Sequence, residues 1–178
     1  MDVMMMKILN KQRNSRMCII CGLDNSYGLK APFYTMEDGS VMTVFQYREQ
    51  HQSYPGRVHG GLITAMLDEM GLRALWAKEG TEESFGVTFA LDTKYRKPVP
   101  YGTDLIGRGM IVKSTSRFFV TEACIYDMDG EPLANGTVKY LKLAVEQIAE
   151  NASVHEEMCY LKADERREIS FHGAGKDN

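Results

Sequence analysis

YPGRVHGGLITAMLDEMGLRALWAK, from Tyr54 to Lys78, sets a proline and glycine turn directly ahead of a helix. From Gly61 to Lys78 the apolar residues Leu62, Ala65, Met66, Leu67, Met70, Leu72, Ala74, Leu75 and Trp76 recur at three- and four-residue steps. They cover most of the circumference, so the helix has to be wrapped on nearly all sides and the rest of the chain is expected to supply the wrapping. Its N-terminus follows Pro55-Gly56 and His59-Gly60-Gly61. Backbone N–H groups there lack intrahelical acceptors and carry the positive end of the helix dipole, which suits an anion or a developing oxyanion.

Spacing separates the two adjacent acids on this helix. Glu69 has Arg73 four residues ahead, the orientation of a helix-surface ion pair, and is expected to be a solvated or rim residue. Asp68 has no such partner. Its neighbours at three and four residues are Thr64, Ala65, Gly71 and Leu72, a mostly apolar strip that desolvates a carboxylate and raises its pKa unless something hydrogen-bonds it. Such an acid is either a functional group or a structural one paired with a residue distant in sequence.

His59-Gly60-Gly61, six mostly apolar residues and then Asp68, preceded by Tyr54-Pro55-Gly56-Arg57-Val58, resembles the central motif of hotdog-fold acyl-CoA thioesterases of the PaaI-like group. The resemblance runs on through Thr88 and Tyr95-Arg96-Lys97-Pro98-Val99-Pro100 to Asp129-Gly130-Glu131-Pro132-Leu133-Ala134, covering about residues 33 to 143. It implies an α+β fold in which a long helix is wrapped by an antiparallel sheet, with two subunits pairing their sheets and active sites at the dimer interface. Many relatives carry an asparagine six residues before the histidine; here that position is Ser53. The resemblance makes His59 mainly a residue that fixes the turn, Gly60 and Gly61 the oxyanion end, and Asp68 the acid that activates water or attacks the thioester. Thr88 stands where some members orient the attacking water, and equally where β-propensity alone favours threonine. Ser53, Val58, Arg96, Lys97 and Arg117 are the expected substrate contacts, with the basic residues, Lys94 and Lys113 among them, placed for the phosphates of coenzyme A.

The length of 178 residues suits one domain with extensions, long enough to bury a core without disulfides or metal. The organisation read from the sequence is an extension over 1–32, a hotdog domain over 33–143 and a helical or flexible tail over 144–178. A net charge of -3 leaves no basic surplus for nucleic acid. The apolar runs are short for a membrane span, and Met4 to Leu9 is too short for a secretory segment, so a cytoplasmic protein is expected. Of the cysteines Cys18, Cys21, Cys124 and Cys159, the pair in Cys18-Ile19-Ile20-Cys21-Gly22 has the spacing of a zinc or redox site. No second such pair follows and the setting is not thioredoxin-like, so reduced thiols packed in a turn are expected, with a metal shared between subunits as the alternative, and no cofactor beyond the coenzyme A of the substrate.

Along the chain, residues 1 to 16 are Met-rich without a sustained period and are expected to form a short helix or a disordered arm. Asp38-Gly39 between β-prone runs predicts a hairpin of Phe33–Glu37 with Val41–Tyr47. Residues 48–58 read as a loop over the helix start. Strands follow from Gly86 to Tyr95 and over 103–112, 117–127 and 132–143, making about six in all, and Val145, Ile148, Ala149 and Ala152 predict a C-terminal helix that docks on the core. The function expected is hydrolysis of an acyl-CoA thioester by a homodimer or tetramer. A non-catalytic acyl-CoA-binding module and a hotdog dehydratase or hydratase are the rivals; the spacing from HGG to Asp68 fits a thioesterase better. Direct attack by Asp68 and general-base catalysis both stay open.

Overall fold

The computed structural model describes residues 3–149, 154–158 and 164–172. The chain runs β1 (Val3–Lys11), β2 (Tyr34–Met36), β3 (Val41–Phe45), a 3-10 turn (Glu49–His51), β4 (Gln52–Tyr54), β5 (Arg57–Val58) and α1 (Gly60–Glu79). It continues with β6 (Phe85–Tyr95), β7 (Leu105–Ser114), β8 (Phe118–Tyr126), β9 (Pro132–Leu143), α2 (Val145–Ile148), α3 (Val154–Glu157) and β10 (Glu168–His172). One antiparallel sheet has the order β10-β1-β2-β3-β7-β8-β9-β6, and β4 pairs with β5 in a hairpin of their own.

Helix α1 lies on one face of this sheet and makes the main core. Met66, Leu67, Met70 and Ala74 are fully buried against Val41, Phe45, Leu105, Ile125 and Ala134. Strand alternation then builds a second, smaller core on the other face: Met42 and Ile106 point away from the helix and pack with Met6, Tyr34, Met36 and Ile169. Gly39 closes the β2–β3 hairpin with φ 78°, a left-handed conformation that glycine adopts freely. Asp38 Oδ1 accepts from the Ser40 N–H at 3.0 Å, and Asp38 also pairs with Arg108 at 2.5 Å.

The sheet has eight strands where about six were expected. The added pair is β1, expected as a short helix or disordered arm, and β10, expected as part of a helical tail. Met6 and Ile8 of β1 face inward, but Val3, Met5 and Leu9 are apolar and exposed, so no polar alternation marks the strand. Its partners are β2 and, from the far end of the chain, β10 through pairs such as Met6 with Ile169. The C-terminal helix is correspondingly reduced to the single turns α2 and α3; Ala152 and Cys159 lie outside the described residues. Residues 48–58 are less open than a loop, because the β4–β5 hairpin folds them back over the start of α1. Among the described residues no helix is long and apolar enough to cross a membrane.

Gly71, inside α1, is where helix and sheet come closest. A Cβ there would sit 1.8 Å from the Tyr140 hydroxyl, and Tyr140 cannot swing away because it is buried and stacked on Phe119 at 4.5 Å. Gly71→Ala is therefore expected to destabilise the fold by about 1–3 kcal/mol or more. The urea midpoint should fall at unchanged m-value; a midpoint equal to that of the parent would mean Tyr140 is free to move.

Candidate active site

The carboxylate of Asp68 is half-buried between α1 and β6. Thr88 Oγ1 donates to Asp68 Oδ1 at 2.6 Å. The threonine sits beside a β-bulge, since the register of β6 against β9 shifts between Thr88 and Ala90 and leaves Phe89 as an extra residue. On the other side, the Tyr140 hydroxyl donates to the backbone carbonyl of Asp68 at 2.5 Å, fixing the turn that carries the acid. Burial pushes the Asp68 carboxyl up from the ordinary carboxylate range; the Thr88 and Tyr140 hydroxyls pull it partly back, and the neighbouring Glu69 charge pushes it up again. The result is an oriented carboxylate that is a better base than one in water.

The helix start is built separately. His59 is the N-cap, and its Nδ1 accepts from the Gly61 N–H at 3.0 Å, so that donor is already used. The Gly60 N–H has no acceptor among the described residues. Gly60 lines a groove of about 330 Å³ together with Arg57, Val58, Tyr95, Arg96 and Lys97, with others. The missing side chain at Gly60 serves Tyr95: its hydroxyl donates to the Gly60 carbonyl at 3.0 Å and lies 3.3 Å from where a Cβ would stand. Thr64 Oγ1 is 2.8 Å from the same hydroxyl.

Of the residues singled out from the sequence, Gly60, Val58, Arg96 and Lys97 share this groove and Thr88 meets Asp68. Ser53 stands exposed in β4, outside the groove. Arg117 is distant: the Arg96 N–H bonds Leu133 and the Lys142 N–H bonds the Arg117 carbonyl, at opposite ends of β9. That is a separation of roughly 30 Å at about 3.3 Å per residue. A larger groove of about 430 Å³, lined by Lys94, Arg96, Arg108 and Cys124 among others, lies on β7, β8 and β9 and holds neither Gly60 nor Asp68.

Asp68 and Gly60 do not meet within one chain. They are two helical turns apart, roughly 12 Å along the axis at 1.5 Å per residue, too far to act on one carbonyl. Strand β6, which carries Thr88, is the edge of the sheet; among the described residues only β9 pairs with it, and Phe89 and Tyr95 on it are 54% and 55% exposed.

The sequence profile of the Thioesterase superfamily matches residues 55–134, the span from the helix entry to the start of β9. Acyl-coenzyme A thioesterase THEM4 of Mus musculus is 27% identical over 119 residues, which is 66% of this chain and 49% of that protein. The chain thus spans about half the length of the curated relative it matches. A crystal structure of a thioesterase superfamily protein is 26% identical with a TM-score of 0.63, covering 70% of this chain and 63% of the other. A hypothetical thioesterase from Streptococcus pneumoniae TIGR4, solved with coenzyme A, has a TM-score of 0.57 at 19% identity, covering 64% of this chain and 86% of that one. The helix on its antiparallel sheet is the hotdog fold of these thioesterases, with β1 and β10 added to the expected six strands.

Glu69 is the correction among the charged residues of α1. Its pairing with Arg73 is present at 3.0 Å, but not on a solvated rim: Arg73 is 1% exposed and Glu69 18%. The guanidinium lies over the rings of Phe33 and Trp76, at 4.8 and 4.6 Å, and donates to the Arg13 carbonyl. Residues before the helix cover it, and i,i+4 spacing carries no information about that cover. Tyr140 was not singled out from the sequence, Tyr95 was quoted only as the start of the Tyr95–Pro100 stretch, and Arg73 only as the partner of Glu69. The one local sign was Gly71, a glycine inside a helix, which marks a close approach.

Proposed function

We propose that the protein hydrolyses an acyl-CoA thioester to the free acid and coenzyme A. The observation that carries this is the Thr88–Asp68 contact, a desolvated carboxylate held by a hydroxyl, on the same helix as the unpaired Gly60 N–H. Supporting it are the thioesterase-superfamily match, the mouse acyl-coenzyme A thioesterase relative and the coenzyme A in the pneumococcal structure.

In this reading the thioester carbonyl oxygen sits on the Gly60 N–H, at the positive end of α1. Asp68 takes a proton from water as the water oxygen attacks the carbonyl carbon. The tetrahedral intermediate then collapses, the C–S bond breaks, and the proton passes to the departing coenzyme A thiolate. Direct attack by Asp68 on the same carbon uses the same two groups, with water cleaving the resulting anhydride. Arg96, beside the mouth of the groove and bonded to Asn135 at 2.6 Å, and Lys97, paired with Glu131 at 2.9 Å, are placed to receive phosphates of coenzyme A.

The separation of roughly 12 Å between Gly60 and Asp68 supports a site shared with a second copy of the chain. Two β6 edges pairing across a twofold axis would extend the sheet and bring the Asp68 of each chain to the helix start of the other. The protein is on this reading a homodimer, or a tetramer built from such dimers.

Thiol release from a panel of acyl-CoAs, run beside hydration of enoyl-CoAs, tests the assignment. Release of coenzyme A without enoyl hydration is expected. Hydration without thiol release would replace the hydrolase with a hotdog hydratase, and tight acyl-CoA binding with neither reaction would make the protein a binding module.

A further inference from the structure

We propose that Cys18, Cys21 and Glu69 are three protein ligands of a zinc ion that clips the loop after β1 onto α1. The two sulfurs and a Glu69 carboxylate oxygen lie within 4.8 Å of one another, and Cys18 Sγ is 3.7 Å from Glu69 Oε2. Zinc bonds of about 2.3 Å to sulfur and 2.0–2.2 Å to oxygen, at tetrahedral angles, put ligand atoms roughly 3.5–3.8 Å apart. The Cys18–Glu69 separation already has that length.

The turn that carries the sulfurs is shaped for the task. Gly22 N–H bonds the Cys18 carbonyl at 2.8 Å, and a Cβ on Gly22 would stand 2.4 Å from that same oxygen. Only glycine fits there. The Ile20 N–H points at Cys18 Sγ from 3.3 Å. Ser15 Oγ accepts from the Cys18 N–H at 3.1 Å, so its own hydrogen is free for Cys21 Sγ, 3.3 Å away. Both sulfurs therefore face hydrogen-bond donors, which a thiolate uses far better than a thiol does.

Glu69 supplies the independent observation. One of its oxygens takes the Arg73 guanidinium at 3.0 Å, while the other faces Cys18 Sγ. A thiol at that range is a weak partner for a largely buried carboxylate. A divalent cation is a strong one. Two thiolates, one carboxylate and Zn²⁺ carry a net charge of about -1, which the buried Arg73 neutralises, so the whole cluster can be buried without an uncompensated charge. Two sulfurs with one oxygen favour zinc over magnesium or calcium. Glu69 directly follows Asp68, so the metal would fix the turn of α1 that holds Asp68 without touching the reacting atoms.

The test is Co²⁺ titration of the reduced, chelator-stripped full chain, read by absorption, followed by displacement with Zn²⁺. One Co²⁺ per chain is expected, with a sulfur-to-cobalt charge-transfer band of two thiolates and the visible bands of a tetrahedral ion; Zn²⁺ should displace it and raise the melting temperature. Cys18→Ser and Cys21→Ser should each weaken Co²⁺ binding by more than about a hundredfold, since even outer partners of a metal site are worth 10–100-fold. Cys124→Ser should bind as the parent does. Glu69→Gln strands Arg73 and can unfold the chain, so the oxygen ligand is read instead by zinc X-ray absorption of the parent, expected to show two sulfurs with lighter atoms. A cobalt complex without the charge-transfer band, a band that survives both serine variants, or a Cys18–Cys21 disulfide in chain purified under reducing conditions would overturn the proposal.

Discussion

Asp68→Asn is expected to leave the fold and the oligomer intact and to lower acyl-CoA hydrolysis by about a hundredfold or more, the range in which a positioned base contributes. Asparagine keeps the shape and can still receive the Thr88 hydroxyl, which donates to Asp68 Oδ1 at 2.6 Å, but it can neither take a proton nor attack a thioester. The Tyr140 bond goes to the backbone carbonyl of residue 68 and survives the change, so a lost turn is not the cause of lost rate. Thr88→Val should cost about tenfold, roughly one charge-assisted hydrogen bond, because the carboxylate stays but is no longer oriented. In the Asp68→Asn background the same substitution should do almost nothing further, since Thr88 then has no carboxylate to act through. Single-turnover thiol release on the four proteins reads the cycle. Parental hydrolysis by Asp68→Asn, with the protein folded, would remove this acid from the mechanism.

Much of this site was legible before the structure, for physical reasons that also explain what was not. Helix α1 announces itself because nine apolar residues at helical steps cannot be placed otherwise, and the Asp38-Gly39 hairpin because a left-handed turn residue between β-prone runs has few alternatives. Asp68 stood out by what it lacked, a partner at three or four residues. Its actual partner, Thr88, comes from the next strand, and only the bulge at Phe89 settles which way that threonine faces. Strand β1 was hidden because its outer face is as apolar as its inner one, and β10 because its pairing spans nearly the whole chain. Glu69 shows the limit most clearly. The spacing to Arg73 was right and the environment wrong, because burial of that pair depends on Phe33 and the Cys18 loop, neither of which the helix sequence mentions.

Gly60→Pro is expected to remove the oxyanion donor and little else, lowering turnover by about 10²–10³. Gly60 is the first residue of α1, where proline is well tolerated and its missing N–H breaks no helical bond. His59 ahead of it has φ -64° and ψ 130°, the extended conformation that a following proline requires. Gly60→Ala is the control, since it crowds the Tyr95 hydroxyl equally but keeps the N–H; it should retain most of the activity. Because Gly60 and Asp68 of one chain stand too far apart to share a carbonyl, the two inactive proteins should rescue each other. A mixed dimer of Gly60→Pro with Asp68→Asn has one site carrying both defects and one carrying neither. Unfolded together at equal amounts and refolded, the mixture should recover about a quarter of parental activity, because half the dimers are mixed and each has one working site of two. Neither protein refolded alone should show it. If the refolded mixture contains heterodimers by mass and stays inactive, both groups belong to one chain's site and the shared-site geometry is wrong.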